Sequence, residues 1–142
     1  IFDQGIGDVF SARIAGNFVN DDILGSMEFA CKLAGTKLIV VLGHTACGAV
    51  KGACDDAKLG KLTGMLEKIK PAVNAVTLPK DINLRNSSNI EFVNNVSTKN
   101  VLLTIDKIIK DSSVLAEMQQ NGEINIIGGM YDIHSGEVTF YE

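Results

Sequence analysis

The chain has 142 residues, of which 46% are hydrophobic and 21% charged. That fits one globular domain with one ordinary core and excludes intrinsic disorder. A formal net charge of −4 argues against nucleic acid or anionic membrane as a partner, because both demand clustered Lys and Arg, and no apolar run reaches the ~18 residues of a membrane-spanning helix.

Residues 1–7 read as a glycine-punctuated loop. Asp8-Val9-Phe10-Ser11-Ala12-Arg13-Ile14 has the β-branched and aromatic content of a strand, ended by Gly16-Asn17. Asn20, Asp21 and Asp22 offer capping side chains for a helix over residues 23–34, with Leu24, Met27, Ala30, Cys31 and Ala34 as its apolar stripe and Gly35 as its stop. Residues 37–42 form a continuous apolar run after Lys37, the pattern of a parallel strand buried on both faces. A helix starts over 49–54. A second, amphipathic one is predicted over 59–76, from Leu62, Met65, Leu66, Ile69 and Val73. Residues 80–90 are polar and loop-like. From Ile90 a long helical pattern carries Phe92, Val93, Val96, Val101, Leu102, Ile105, Ile108 and Ile109, and a shorter helix covers 113–120. Asn121-Gly122 is a turn signal; 123–133 reads as a strand, His134-Ser135-Gly136 as a hairpin turn and 137–141 as the returning strand.

This order predicts a single α/β domain over 1–142: a mainly parallel central sheet flanked by helices, with a C-terminal strand hairpin. The first residue is Ile1 rather than Met, so an N-terminal segment is expected to be missing, and a trimmed targeting peptide stays open. The three cysteines are odd in number, and two lie in apolar helical patterns. A reducing, cytoplasmic setting is therefore expected over a disulfide framework.

The stretch that carries chemistry is His44-Thr45-Ala46-Cys47, at the carboxyl end of the inner strand, where open α/β sheets bind ligands. An imidazole and a thiolate three positions apart on a strand-to-helix turn can converge on one tetrahedral Zn²⁺, and a nearby helix N-terminus favours the thiolate. On spacing alone, an ordinary turn histidine beside a small buried cysteine is the plainer reading, since a zinc site needs at least three protein ligands. Cys54 is a poor third, because seven helical residues separate it from Cys47 by roughly 10 Å. Cys31 reads as core and His134 as a solvated turn residue. Gly5-Ile6-Gly7 lacks the preceding strand and third glycine of a dinucleotide fingerprint.

The run Gly7-Asp8-Val9-Phe10-Ser11-Ala12-Arg13-Ile14-Ala15-Gly16-Asn17 resembles the "GD-x-F-x-x-R-x-A-G-N" block of the β-class carbonic anhydrases. Gly43-His44-Thr45-Ala46-Cys47-Gly48 resembles their "GH-x-x-C-G" block, Ser26-Met27-Glu28-Phe29-Ala30 their "S-x-E-Y/F-A", and Gly128-Gly129-Met130-Tyr131-Asp132 with Gly136 their closing motif. The resemblance spans essentially the whole chain. It implies one Zn²⁺ held by His44, Cys47 and a further cysteine from a C-x-D-S-R motif that this sequence does not contain. The Asp–Arg dyad of that motif would supply the catalytic groups, so none is assigned within these residues. The implied reaction is the reversible hydration of CO₂ to bicarbonate by zinc-bound hydroxide, in a homodimer or higher homo-oligomer. Phe10, Ala15 and Phe29 match pocket-lining positions shared across subunits, and Arg13 and Asn17 match positions near the interface. Three alternatives stand beside it: an inactive or incomplete homologue whose zinc site lacks its third ligand, a carbonyl sulfide or carbon disulfide hydrolase on the same scaffold, and a metal-free Cys47–His44 nucleophile. With two of three ligands, the chain as it stands is expected to hold zinc weakly.

Overall fold

The computed structural model describes residues 1–141. Three strands, β1 (Leu38–His44), β2 (Asn125–Tyr131) and β3 (Val138–Tyr141), form one sheet in that order. β1 and β2 run parallel, from Leu38 opposite Asn125 to His44 opposite Tyr131, and β3 returns antiparallel to β2. A parallel pair needs a long crossover. Here it comprises α2 (Gly48–Cys54), α3 (Gly60–Glu67), α4 (Lys70–Ala75), α5 (Ile90–Asp111) and α6 (Ser113–Gln120), with α1 (Asp21–Glu28) preceding β1. The class is the expected α/β, with a mixed sheet.

Local chemistry sets the helix ends. Of the three candidate caps, Asn20 is used: its Oδ1 accepts the Ile23 N–H at 2.9 Å. α1 continues into a π-helical turn, Phe29–Leu33, and Gly35 (φ +83°) reverses the chain in the left-handed region. Asn89 caps α5 and Ser112 caps α6, and the Ser112 hydroxyl also donates to Glu28 Oε1 at 2.6 Å, tying α6 to α1.

Two apolar clusters hold the layers together. Ile39, Val41, Ile126 and Met130 of one sheet face pack with Val101 and Ile108 of α5 and Leu115 and Met118 of α6. The other cluster joins α2, α3, α4 and the first turns of α5 through Val50, Leu66, Ile69 and Phe92, and includes Cys47. Gly43 and Gly128 let α5 lie close on the sheet: a methyl on Gly128 would stand 2.8 Å from Val101 Cγ1, and one on Gly43 the same distance from Val101 Cγ2. Among the described residues, no helix is long and apolar enough to cross a membrane.

Three expectations are corrected. Residues 8–14 form no strand. Val9 and Phe10 are more than half exposed, and β-branched content makes a strand only where a neighbour supplies the ladder. The helix over 59–76 is two, α3 and α4, because Pro71 lacks the N–H an interior turn requires and fits the first turn of α4 instead. β1 is buried at Ile39, Val41 and Gly43 only; it is a sheet edge whose other face carries the half-exposed Leu38.

Candidate metal centre

β1 delivers His44 to the carboxyl end of the sheet, and four residues later the chain is helical. The turn between is held from two sides. On the sheet side, the Thr45 N–H donates to the Tyr131 carbonyl at 3.0 Å, and Thr45 Oγ1 accepts the Ile133 N–H at 3.1 Å. On the helix side, the Ala46 N–H donates to Asn94 Oδ1 of α5 at 2.8 Å. Ala46 sits at φ +54°, a left-handed conformation that costs a non-glycine residue about 1 kcal/mol. Cys47 then caps α2, its carbonyl accepting the Lys51 N–H at 2.9 Å, with the side chain buried at 5% exposure.

His44 is exposed, and its Nδ1 lies 2.9 Å from the Thr45 carbonyl oxygen. A carbonyl oxygen only accepts, so Nδ1 is the donor in this contact, and in the neutral ring the lone pair is then on Nε2. That is the tautomer of a metal-binding histidine with its other nitrogen tied to a backbone carbonyl. Imidazole nitrogen and thiolate sulfur on one turn are the donors Zn²⁺ prefers. The pair therefore fits part of a zinc site, but among the described residues no third His, Cys, Asp or Glu converges on it.

The other sulfurs and imidazole lie where the sequence reading put them. Cys31 is in the main core at 2% exposure. Cys54 ends α2, half-buried, and burial, reinforced by the neighbouring Asp55, pushes its thiol up to about 11. His134 is exposed in the hairpin turn, its N–H donated to Asp132 Oδ1 at 2.7 Å; Ser135 donates to the same oxygen at 2.9 Å. These amides hold the Asp132 carboxyl below its ordinary 3.8.

Phe10 and Phe29 meet, with ring centroids 6.3 Å apart and planes tilted by 44°, each about half exposed; Ala15 is exposed on the turn before Gly16. Two clefts, one along Lys37 and Asn125 and one between Phe18 and Lys110, include none of these three residues, nor His44 or Cys47. A second left-handed turn, Gly16 (φ +85°) and Asn17 (φ +40°), lies beneath the end of β1. Asn100 Nδ2 donates to the Gly16 carbonyl at 2.7 Å and Thr104 Oγ1 to the Asn17 carbonyl at 3.2 Å. Asn17 Nδ2 is a buried donor with no acceptor among the described residues. Asn94 is the site residue that sequence reading missed: it lies 48 positions from Ala46, and an asparagine inside an apolar helical pattern carries no motif.

The family model described as "Carbonic anhydrase" matches residues 1–138. The chain belongs to the carbonic anhydrase family, in its β class. Carbonic anhydrase 2 of Mycobacterium tuberculosis (strain CDC 1551 / Oshkosh) is 33% identical over 144 residues, covering 98% of this chain and 65% of that protein. The chain thus spans just under two thirds of that relative's length. A carbon disulfide hydrolase of Acidithiobacillus thiooxidans is 40% identical over 52 residues, 37% of this chain and 24% of that protein. Among solved structures, the β-carbonic anhydrase CafA of Aspergillus fumigatus superposes with a TM-score of 0.84 at 28% identity, covering 96% of this chain and 65% of that one.

Proposed function

We propose that the protein catalyses the reversible hydration of CO₂ to bicarbonate with one zinc ion held by His44 Nε2, the Cys47 thiolate and a third ligand, a cysteine from a part of the protein not contained in these residues. What supports this reading is the His44 Nδ1–Thr45 contact, which leaves Nε2 free on the same turn as Cys47, within a chain matched by the family model over 1–138. Bound zinc supplies a Lewis acid beside which water ionises near neutral pH. The chain's own residues do the rest. Thr45 O fixes the imidazole plane, the buried Cys47 supplies charge that cancels part of the ion's, and an apolar wall suits a nonpolar gas. We assign Phe10, Ala15 and Phe29 to that wall, completed across a homodimer or larger homo-oligomer. Ile6, Val9, Phe10, Phe29 and Leu33 present exposed apolar surface of the kind a partner subunit covers. A cytoplasmic location agrees with three free cysteines.

Stopped-flow CO₂ hydration by the full-length protein tests the reading. Activity should disappear on strong chelation, return with zinc, and be lost together with the metal in His44→Ala and in Cys47→Ser. Zinc-loaded protein that hydrates no CO₂ overturns the reading and leaves an inactive homologue. The carbon disulfide hydrolase match motivates a second assay: hydrolysis of carbon disulfide without CO₂ hydration moves the assignment to that substrate.

A further inference from the structure

The two proposed donors flank a residue in a conformation it would not hold alone. Ala46 stands between His44 and Cys47 at φ +54°, so the chain turns there from β1 into α2. Relaxed to an extended conformation, Ala46 would redirect the backbone ahead of Cys47 and change where its thiol stands relative to the imidazole. The sheet-side anchors act on Thr45 and make no contact with the Ala46 amide. Asn94 acts on Ala46 itself, its Oδ1 accepting the part-buried N–H at 2.8 Å. Removing that oxygen orphans the amide unless the turn opens to water. α5 also holds the other left-handed turn at this end of β1, there by donating to its carbonyls through Asn100 and Thr104.

We propose that Asn94 is a positioning residue of the metal centre: by accepting the Ala46 N–H it locks the 45–47 turn so that His44 Nε2 and Cys47 Sγ face one ion. This rests on the zinc reading above. The test uses the full-length protein with Asn94→Leu, close in size but without an acceptor, and Asn94→Asp, which keeps the acceptor oxygen; Asn94→Ala replaces the leucine variant if that one unfolds. Two quantities are read. One is amide hydrogen exchange at Ala46 in the metal-free protein, with α6 amides as the control for intact fold. The other is Co²⁺ titration, followed by the thiolate-to-cobalt charge-transfer band.

Asn94→Leu should speed exchange at Ala46 at least ~10-fold with α6 unchanged, and should weaken Co²⁺ binding by about 10–100-fold with an altered band. Asn94→Asp should stay near wild type in both. Unchanged exchange in Asn94→Leu overturns the proposal. Faster exchange with wild-type Co²⁺ affinity and spectrum also overturns it, because the contact is then purely structural. If the wild-type protein binds no Co²⁺, the zinc reading falls, and exchange at Ala46 alone decides whether Asn94 holds the turn.

Discussion

At the scale of single residues, one proton decides what His44 can do. With Nδ1 donating to Thr45 O at 2.9 Å, the neutral ring keeps its lone pair on Nε2. Asp132 shows the same use of backbone groups in the hairpin turn, where the Ser135 amide first and the His134 amide second hold its carboxyl low. A carboxyl whose folded value is lowered stabilises the fold above its unfolded value, and that contribution is lost as pH falls through the folded one. Thermal stability should therefore drop below about pH 4, and Asp132→Asn, keeping the oxygen but not the charge, should flatten that drop in a Tm–pH series. Cys54 runs the other way. With its thiol at about 11, chiefly through burial, little thiolate exists at pH 8. Its alkylation, followed by peptide mass spectrometry, should be at least ~10-fold slower than that of an ordinary thiol.

At the scale of elements, the contact between α5 and the sheet is set by two missing methyls. Gly128→Ala places Cβ 2.8 Å from Val101 Cγ1 and 3.1 Å from Ile105 Cδ1, and overpacking of this kind costs about 1–3 kcal/mol. Val101→Ala makes room, so denaturant melts of the double variant should show less than the summed loss of the two singles. Elements also mark where sequence was informative. His44 and Cys47 stood out as a candidate pair because their chemistry lies in four consecutive residues, and β1, α5, α6 and the closing hairpin were legible because each carries its own period and turn. Residues 8–14 were not, since Val9 and Phe10 look the same in a strand and on an exposed arm, and only a ladder partner distinguishes them. Pro71 marks the break between α3 and α4, a signal masked by the apolar stripe that runs through it. Asn94 was invisible for another reason: its role exists only once α5 lies against a turn 48 positions earlier.

At the scale of the whole molecule, the sheet is dressed unequally. One face lies under α5 and α6. The other shows Leu38 at 47% and Phe140 at 50% exposure, with Phe2 stacked on Phe140 at a centroid distance of 6.3 Å. With Phe10 and Phe29, these are large apolar side chains left to water, of the kind a partner subunit can cover. If the surface joins subunits as proposed, Phe10→Glu in the full-length protein should shift sedimentation velocity toward the monomer at micromolar concentration. A molar mass unchanged on dilution would count against that arrangement.

The anchoring of Thr45 by Tyr131 and Ile133 links residues as far as 88 positions apart. The turn between His44 and Cys47 accordingly gains its sheet-side anchors only once the closing hairpin has docked. Until then the turn is held from the α5 side, through Asn94, and an ion held there as proposed would be held less tightly than in the finished sheet. Under the zinc proposal, the choice of metal would then belong to the completed sheet rather than to the emerging chain.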